Sequence, residues 1–340
     1  MLATRSDRPD SPLRLTASKA EARAAQWCAA RLSSCGYDVH VDTFSARRSI
    51  APSLVADLVL SAIGAAFLGF APIVSVVLGV VAIVDYARTC EGRTRLGWRG
   101  DRSRNVIGAT TSPPSVVVIA GMDGVQGWSA WHARLGPALR SATIALHVVL
   151  FAVPAIGSGV WVFGEHDPAR LEVVGAALAM ALVAACAWIA THDTAEGVTR
   201  DTPLEVALRI GQLRLPEVWI AFVGATGSGS DGMTDFLDRW GERVGSAALL
   251  NLEQIGAGRA IAIEQEGVVK ARRANGALVQ AAEDAGAEIA DWRLIPTDGG
   301  VALARHFRAM TLMLGDGNEP DPAGRLFGIA YSVIDKVRRR

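Results

Sequence analysis

The stretch "WIAFVGATGSGSDGMTDFLDRW", residues 219–240, joins an apolar run to a glycine-rich loop and the opening of a helix. Gly227, Gly229 and Gly232 fit G-x-G-x-x-G, and Glu253 ends the next apolar run, "SAALLNLE", about where a dinucleotide fold places its ribose-binding acid. The chemistry on offer is pyrophosphate binding by backbone N–H groups at a helix start. Three further acids stand at turns or ahead of helical segments: Asp123 in "MDG", Asp193 in "HDTAEG", beside His192, and Asp298 in "TDGG". Each also has a structural use, Asp123 in a turn and Asp193 and Asp298 as helix N-caps.

The elements that must position these residues fall into two kinds. "SLVADLVLSAIGAAFLGFAPIVSVVLGVVAIVDYA" carries no charge from Leu58 to Val84, and "SATIALHVVLFAVPAIGSGVWVF" and "LEVVGAALAMALVAACAWIA" are two more runs of membrane-spanning length. Core helices of a water-soluble protein are seldom so long and so apolar on every face, so the expected first partner is a lipid bilayer. The N-terminus has no apolar segment beside its charges and no evident cleavable signal. The formal net charge of zero gives no reason to expect a nucleic acid partner. It hides an uneven layout: Arg47 and Arg48 precede the first apolar region, and Arg88, Arg93, Arg95, Arg99, Arg102 and Arg104 follow it. The positive-inside rule places these flanks in the cytoplasm. Cys28, Cys35, Cys90 and Cys186 have neither metal-ligand nor redox spacing.

Outside the apolar regions α and β patterns alternate. "ASKAEARAAQWCAARLSSCG" reads as an amphipathic helix closed by Gly36, and "YDVHVDTF", "NVIGAT", "SVVVIAG", "VWIAFVG", "AALLNL" and "AMTLML" read as strands. Several are apolar throughout, as strands buried on both faces are. "TPLEVALRIGQL" and "PAGRLFGIAYSVIDKVRRR" read as helices between and after them. One α/β domain forms only if each apolar insertion crosses the bilayer an even number of times. The expected division is therefore 1–50, 87–138 and 191–340 as three parts of one cytoplasmic α/β domain. Hairpins 51–86 and 139–190 interrupt it, giving a multi-pass protein of the cell membrane. The first hairpin turns at "LGFAP", the second at "GEHDPA".

Taken in order, the soluble segments resemble the co-catalytic di-zinc aminopeptidases, a family that also includes glutamate carboxypeptidase and non-enzymatic relatives such as transferrin receptor and nicastrin. "RNVIGATTSPPSVVVIAGMDG" has the layout of that family's N-V-I and H-x-D strand, with Asp123 at the aspartate and Gly121 at the zinc-binding histidine. "HDTAEGVTRDTPLEVALRI" resembles D-N-x-S-G-V, with Asp193 at the zinc-bridging aspartate. "GATGSGSDG" resembles E-E-x-G-x-x-G, with Thr226 at the general base and Gly227 at the zinc-binding glutamate. "LLNLEQIG" resembles N-L-D-x-x-G, with Glu253 at the acid for the second zinc, and "TDGG" resembles S-D-H, with Asp298 kept and Gly299 at the histidine. The resemblance implies a zinc-exopeptidase-like three-layer α/β sandwich with a mixed, mostly parallel sheet, interrupted by the two transmembrane hairpins. Five motifs in order outweigh one loop, so the G-x-G-x-x-G match is read as coincidental.

On this alignment both histidines and both glutamates are gone. A threonine hydroxyl cannot replace a glutamate as general base, and no soft or borderline ligand remains for zinc. The expected function is binding or scaffolding by a catalytically inactive relative, with a peptide or membrane-protein partner. No cofactor is expected. A divalent cation at Asp193 and Glu253 is the one exception the retained acids leave open, and oxygen donors alone suit calcium or magnesium. The alternatives are a membrane-bound metallo-aminopeptidase or other hydrolase with a rearranged metal site, and a membrane-tethered dinucleotide-binding protein using the Gly227–Gly232 loop.

Overall fold

The computed structural model describes residues 14–91, 100–124, 128–163, 167–192, 201–267, 270–293 and 297–339. Asp193, with the rest of 193–200, lies outside the described residues.

Helix α1 (Lys19–Ser34) is capped by Ser18, whose hydroxyl accepts from the Glu21 N–H, and ends before Gly36 at φ +83°, which only glycine adopts without strain. It leads into β1 (Asp38–Ala46), then α2 (Ala51–Ala66) and α3 (Pro72–Cys90). Strands β2 (Asp101–Ala109) and β3 (Val116–Gly121) precede α4 (Trp128–Phe163) and α5 (Pro168–His192). The chain continues through α6 (Asp201–Gln212), β4 (Val218–Val223), α7 (Asp231–Val244), β5 (Ala248–Gln254), β6 (Ala260–Glu266) and β7 (Arg272–Arg273). Last come α8 (Gly276–Asp284), β8 (Glu288–Trp292), α9 (Asp298–Ala304), β9 (Ala309–Leu314) and α10 (Pro322–Arg338).

Among the described residues the strands form one sheet in the order β1-β2-β4-β3-β5-β9-β6-β7, with β8 also paired to β6. The centre, β4-β3-β5-β9, is parallel, and its strands are apolar and almost wholly buried because helices cover both faces. Antiparallel pairs flank it: β1 with β2, β2 with β4, and β6 with β9. The sheet is therefore parallel in its middle rather than over most of its width. Helices α1, α6, α8 and α10 pack as one layer, and α7 and α9 as another. The edge strands β6, β7 and β8 have no counterpart among the expected strands; "AIAIEQE" and "EIADW" are short and partly charged, as exposed edges are.

The helices α2–α5 pack together around Leu54, Leu58, Leu150, Val153, Leu182 and Ile189. Glycines set their crossings: a Cβ on Gly79 would meet Pro154, one on Gly157 would meet Val76, and one on Gly175 would run into the Ala65 carbonyl. Such close approach over small residues is how helices associate where lipid is the solvent. Apart from Leu15, Val41, Leu213 and Tyr331, every exposed large apolar side chain among the described residues lies on α2–α5 or the α2–α3 turn. Three helical stretches, Pro72–Thr89, Ile144–Phe163 and Pro168–Ile189, are long and apolar enough to cross a membrane, while Ala51–Ala66 is apolar but shorter. α4 starts at Trp128, ahead of the boundary expected at residue 139.

Register fixes where the hairpins leave the sheet. Ala46, the end of β1, pairs with Asp101, the start of β2, so α2–α3 stand where a tight β-turn would otherwise connect the two strands. β2 runs antiparallel to β4, and β4 parallel to β3, which puts this junction at the edge where β3 and β4 end. α4 follows β3 from the same edge.

Candidate functional site

Parallel strands converge their C-terminal ends on a common crevice, and here β3, β4 and β5 bring Asp123, the loop 224–230 and Glu253 to that edge. Asp123 is fully buried, and three donors occupy its carboxylate. The Thr226 N–H donates to Oδ1 at 3.0 Å, and the Gly227 N–H and Thr16 hydroxyl donate to Oδ2 at 2.9 and 2.6 Å. The Thr226 hydroxyl in turn donates to Asp298 Oδ2 at 3.0 Å.

Asp298 is also fully buried, but it is not the cap of α9. Thr297 is, accepting from the Gly300 N–H at 2.9 Å, which frees the Asp298 carboxylate to face Thr226. The Thr297 hydroxyl also bonds Glu266, which is bonded to Thr311 as well, and Asn251 donates to the Thr311 hydroxyl at 3.2 Å. Burial pushes the Glu266 carboxyl above the usual range, helped by the nearby negative charge of Asp298. A polar chain thus crosses the interior from Thr16 on one side to Asn251 on the other.

The positions where ligands are missing are structurally committed. Gly121 is the last residue of β3 and is paired with Val223. The Gly227 N–H holds Asp123. A Cβ on Gly299 would run into Thr311 Oγ1 and lie 3.1 Å from Glu266 Oε1, so there is no room for an imidazole. Glu253 is buried at the end of β5. The backbone places His192 at the C-terminal end of α5, not at a helix start. Among the described residues no three His, Cys, Asp or Glu side chains are grouped as a metal would need. A zinc pair does not fit the donors present.

The glycine-rich loop has a different occupant from the one its spacing advertises. Two of its N–H groups already hold an anion, the carboxylate of Asp123. Asp231 opens α7, and Arg47 grips it in a buried ion pair, with the Arg47 backbone N–H, Nε and Nη2 at 3.0, 3.1 and 2.9 Å. Asn105 ties both ends of the loop, accepting from the Gly224 N–H at 3.1 Å and donating to the Gly232 carbonyl at 2.9 Å. A Cβ on Gly232 would collide with the Gly224 carbonyl, which explains this glycine by close packing. β3 lies between β4 and β5, so Glu253 is not on the strand next to the loop, as a ribose-binding acid would be.

Sequence reasoning missed several of these participants. Glu21 is buried against Ser103, its hydrogen-bond donor, and Asp123; burial first, and then the Asp123 charge, push its carboxyl up to about 7. The S-x-x-E spacing of Ser18 and Glu21 was the signal available for it. Arg14 donates to the Met122 carbonyl at 2.6 Å and pairs with Asp201 at 2.7 Å. Arg47, taken as a cytoplasmic flanking charge, is an internal partner of Asp231 instead. The flanking arginines Arg93, Arg95 and Arg99 fall outside the described residues.

No protein-family profile matches the chain, and no curated protein does. Solved structures of similar fold include an aminopeptidase from Aneurinibacillus sp. strain AM-1, at TM-score 0.49 and 12% identity over 98% of this chain and 91% of that one. They also include a zinc aminopeptidase from Bacillus subtilis, at TM-score 0.48 and 11% identity over 97% and 92%. A glutaminyl cyclase from Bacteroides thetaiotaomicron is a third, at TM-score 0.46 and 13% identity over 98% and 95%.

Proposed function

We propose that this chain is a membrane-embedded, non-catalytic protein with an aminopeptidase-like α/β domain on the cytoplasmic side, and that it acts in binding or scaffolding. The observation that carries the reading is the use made of Asp123. A carboxylate that orients a metal ligand needs a lone pair turned toward that ligand, whereas this one is taken up by Thr226, Gly227 and Thr16. With Thr226 donating to Asp298, the former ligand positions hold one another and leave no base to activate a water. The edge carrying these residues is the edge from which α2–α5 leave the sheet, which favours a partner that is itself in or at the bilayer, a peptide or a segment of another membrane protein.

The full chain, purified in detergent, is assayed for zinc by elemental analysis and for hydrolysis of aminoacyl substrates with and without chelator. The expected result is substoichiometric metal and no chelator-sensitive turnover. Two zinc ions per chain with chelator-sensitive hydrolysis would overturn the reading in favour of a hydrolase built on Glu253, Glu266 and Asp298.

A further inference from the structure

The helices α2 and α3 carry one charged residue each within their apolar stretches, Asp57 and Asp85. The two stand equally far from Ala71 at the turn, so the hairpin brings them to the same level, and their side chains are in hydrogen-bond contact. They are 2% and 7% exposed. Asp57 lies about 9 Å along α2 from its start, roughly a third of the way into a 30 Å hydrocarbon core.

A hydrogen bond between two carboxyl groups requires a proton on one of them, and two carboxylates side by side in an apolar bundle cannot both stay ionised without a compensating charge. No buried Lys or Arg lies on α2–α5 among the described residues. Arg88 is exposed, Cys186 donates to the Val55 carbonyl, Tyr86 is neutral, and Glu172 sits at the far end beside Gly69. The positive charge must therefore come from outside the chain.

A second observation points to the same place. Ser61, one helical turn beyond Asp57, and Thr89, one turn beyond Asp85, are wholly buried on the same helix faces as the acids, and neither hydroxyl has a hydrogen-bond partner. Buried hydroxyls without partners are rare because each forfeits its hydration. Hydroxyl and carboxyl oxygens are the donors that protons and hard cations use.

We propose that Asp57 and Asp85, flanked by Ser61 and Thr89, hold one exchangeable unit of positive charge inside the helical bundle, either a proton or a sodium-sized cation. The proposal rests on the membrane reading of α2–α5 and goes beyond it, giving the bundle a ligand of its own, separate from the α/β domain.

The full chain in lipid nanodiscs is followed by infrared difference spectroscopy while the buffer is stepped in pH, and separately from choline to sodium at constant pH and ionic strength. The expected result is loss of a protonated-carboxyl band and gain of a carboxylate band in the wild type. The change should move on labelling with [4-13C]aspartate, which separates it from Glu21, and should be absent in Asp57→Asn/Asp85→Asn. A response to sodium that Ser61→Ala and Thr89→Val abolish identifies the charge as a cation, and a response to pH alone identifies it as a proton. A wild-type spectrum with no aspartate band change in either arm overturns the proposal, whether or not the double variant folds. Recovery of the chain in the carbonate-soluble fraction would take down the membrane reading itself. A membrane-retained chain with an inert pair takes down only this inference.

Discussion

The ion pair between Arg47 and Asp231 is the joint between the root of the helical bundle and the candidate site, and its removal gives a prediction with a definite size. Both side chains are almost fully buried, at 2% and 3% exposure, so neither charge is shielded by water. Asp231→Ala leaves a guanidinium buried without its counter-charge, and Arg47→Met leaves a buried carboxylate; each is expected to cost about 3–5 kcal/mol. Removing both charges at once should cost far less, because the desolvation of two ions disappears together with their attraction. Asp231→Asn suits the double variant, since its amide oxygen can still accept from the Arg47 backbone N–H that Asp231 now satisfies at 3.0 Å. Arg47→Met/Asp231→Asn is then expected within about 2 kcal/mol of wild type, a coupling of at least about 3 kcal/mol between the single changes. Thermal unfolding of the four proteins in one detergent measures this cycle. A double variant as destabilised as the sum of the singles would show that the two residues act independently, and the joint would not be one.

Three further outcomes follow from the same geometry. The folded state favours protonated Glu21, whose carboxyl is raised from 4.5 to about 7, so stability should fall as pH rises through that window, by at most on the order of 3 kcal/mol; thermal midpoints between pH 4.5 and 7.5 should slope less in Glu21→Gln than in wild type, and parallel slopes would refute the assignment. Gly299→His should destabilise by about 1–3 kcal/mol through overpacking against Thr311, and Thr311→Ala in the same chain should recover part of the loss in chemical denaturation. For topology, a cysteine introduced at Asp167, between α4 and α5, should react with an impermeant maleimide in intact cells, and one at Glu283 only after lysis; the reverse pattern would invert the orientation.

Much of the fold could be read from the sequence, and the reasons are specific. α1 announces itself by apolar spacing and by Gly36, whose φ of +83° is what a helix-ending glycine is for. β3, β4 and β9 are apolar at every position because layers of helix cover them on both sides, and that pattern survives without any tertiary knowledge. The outer strands β6–β8 were not legible, because an edge strand has one covered face at most and Glu264, Gln265 and Glu266 read as a loop; that Glu266 is buried depends on Thr297 and Thr311, which arrive from α9 and β9. Local spacing misled in the same way at Asp298, where the helix start was recognised but the cap was assigned one residue late. The glycine-rich loop is the sharpest case. Spacing can reveal that backbone N–H groups will converge at the end of β4, since that follows from local turn geometry. It cannot reveal what they converge on, because Asp123 is brought there by the pairing of β3 with β4, across a separation in sequence of 103 residues that holds both α4 and α5. A loop whose anion is supplied by its own chain has the same local sequence as one that waits for a phosphate, and only the neighbouring strand distinguishes them.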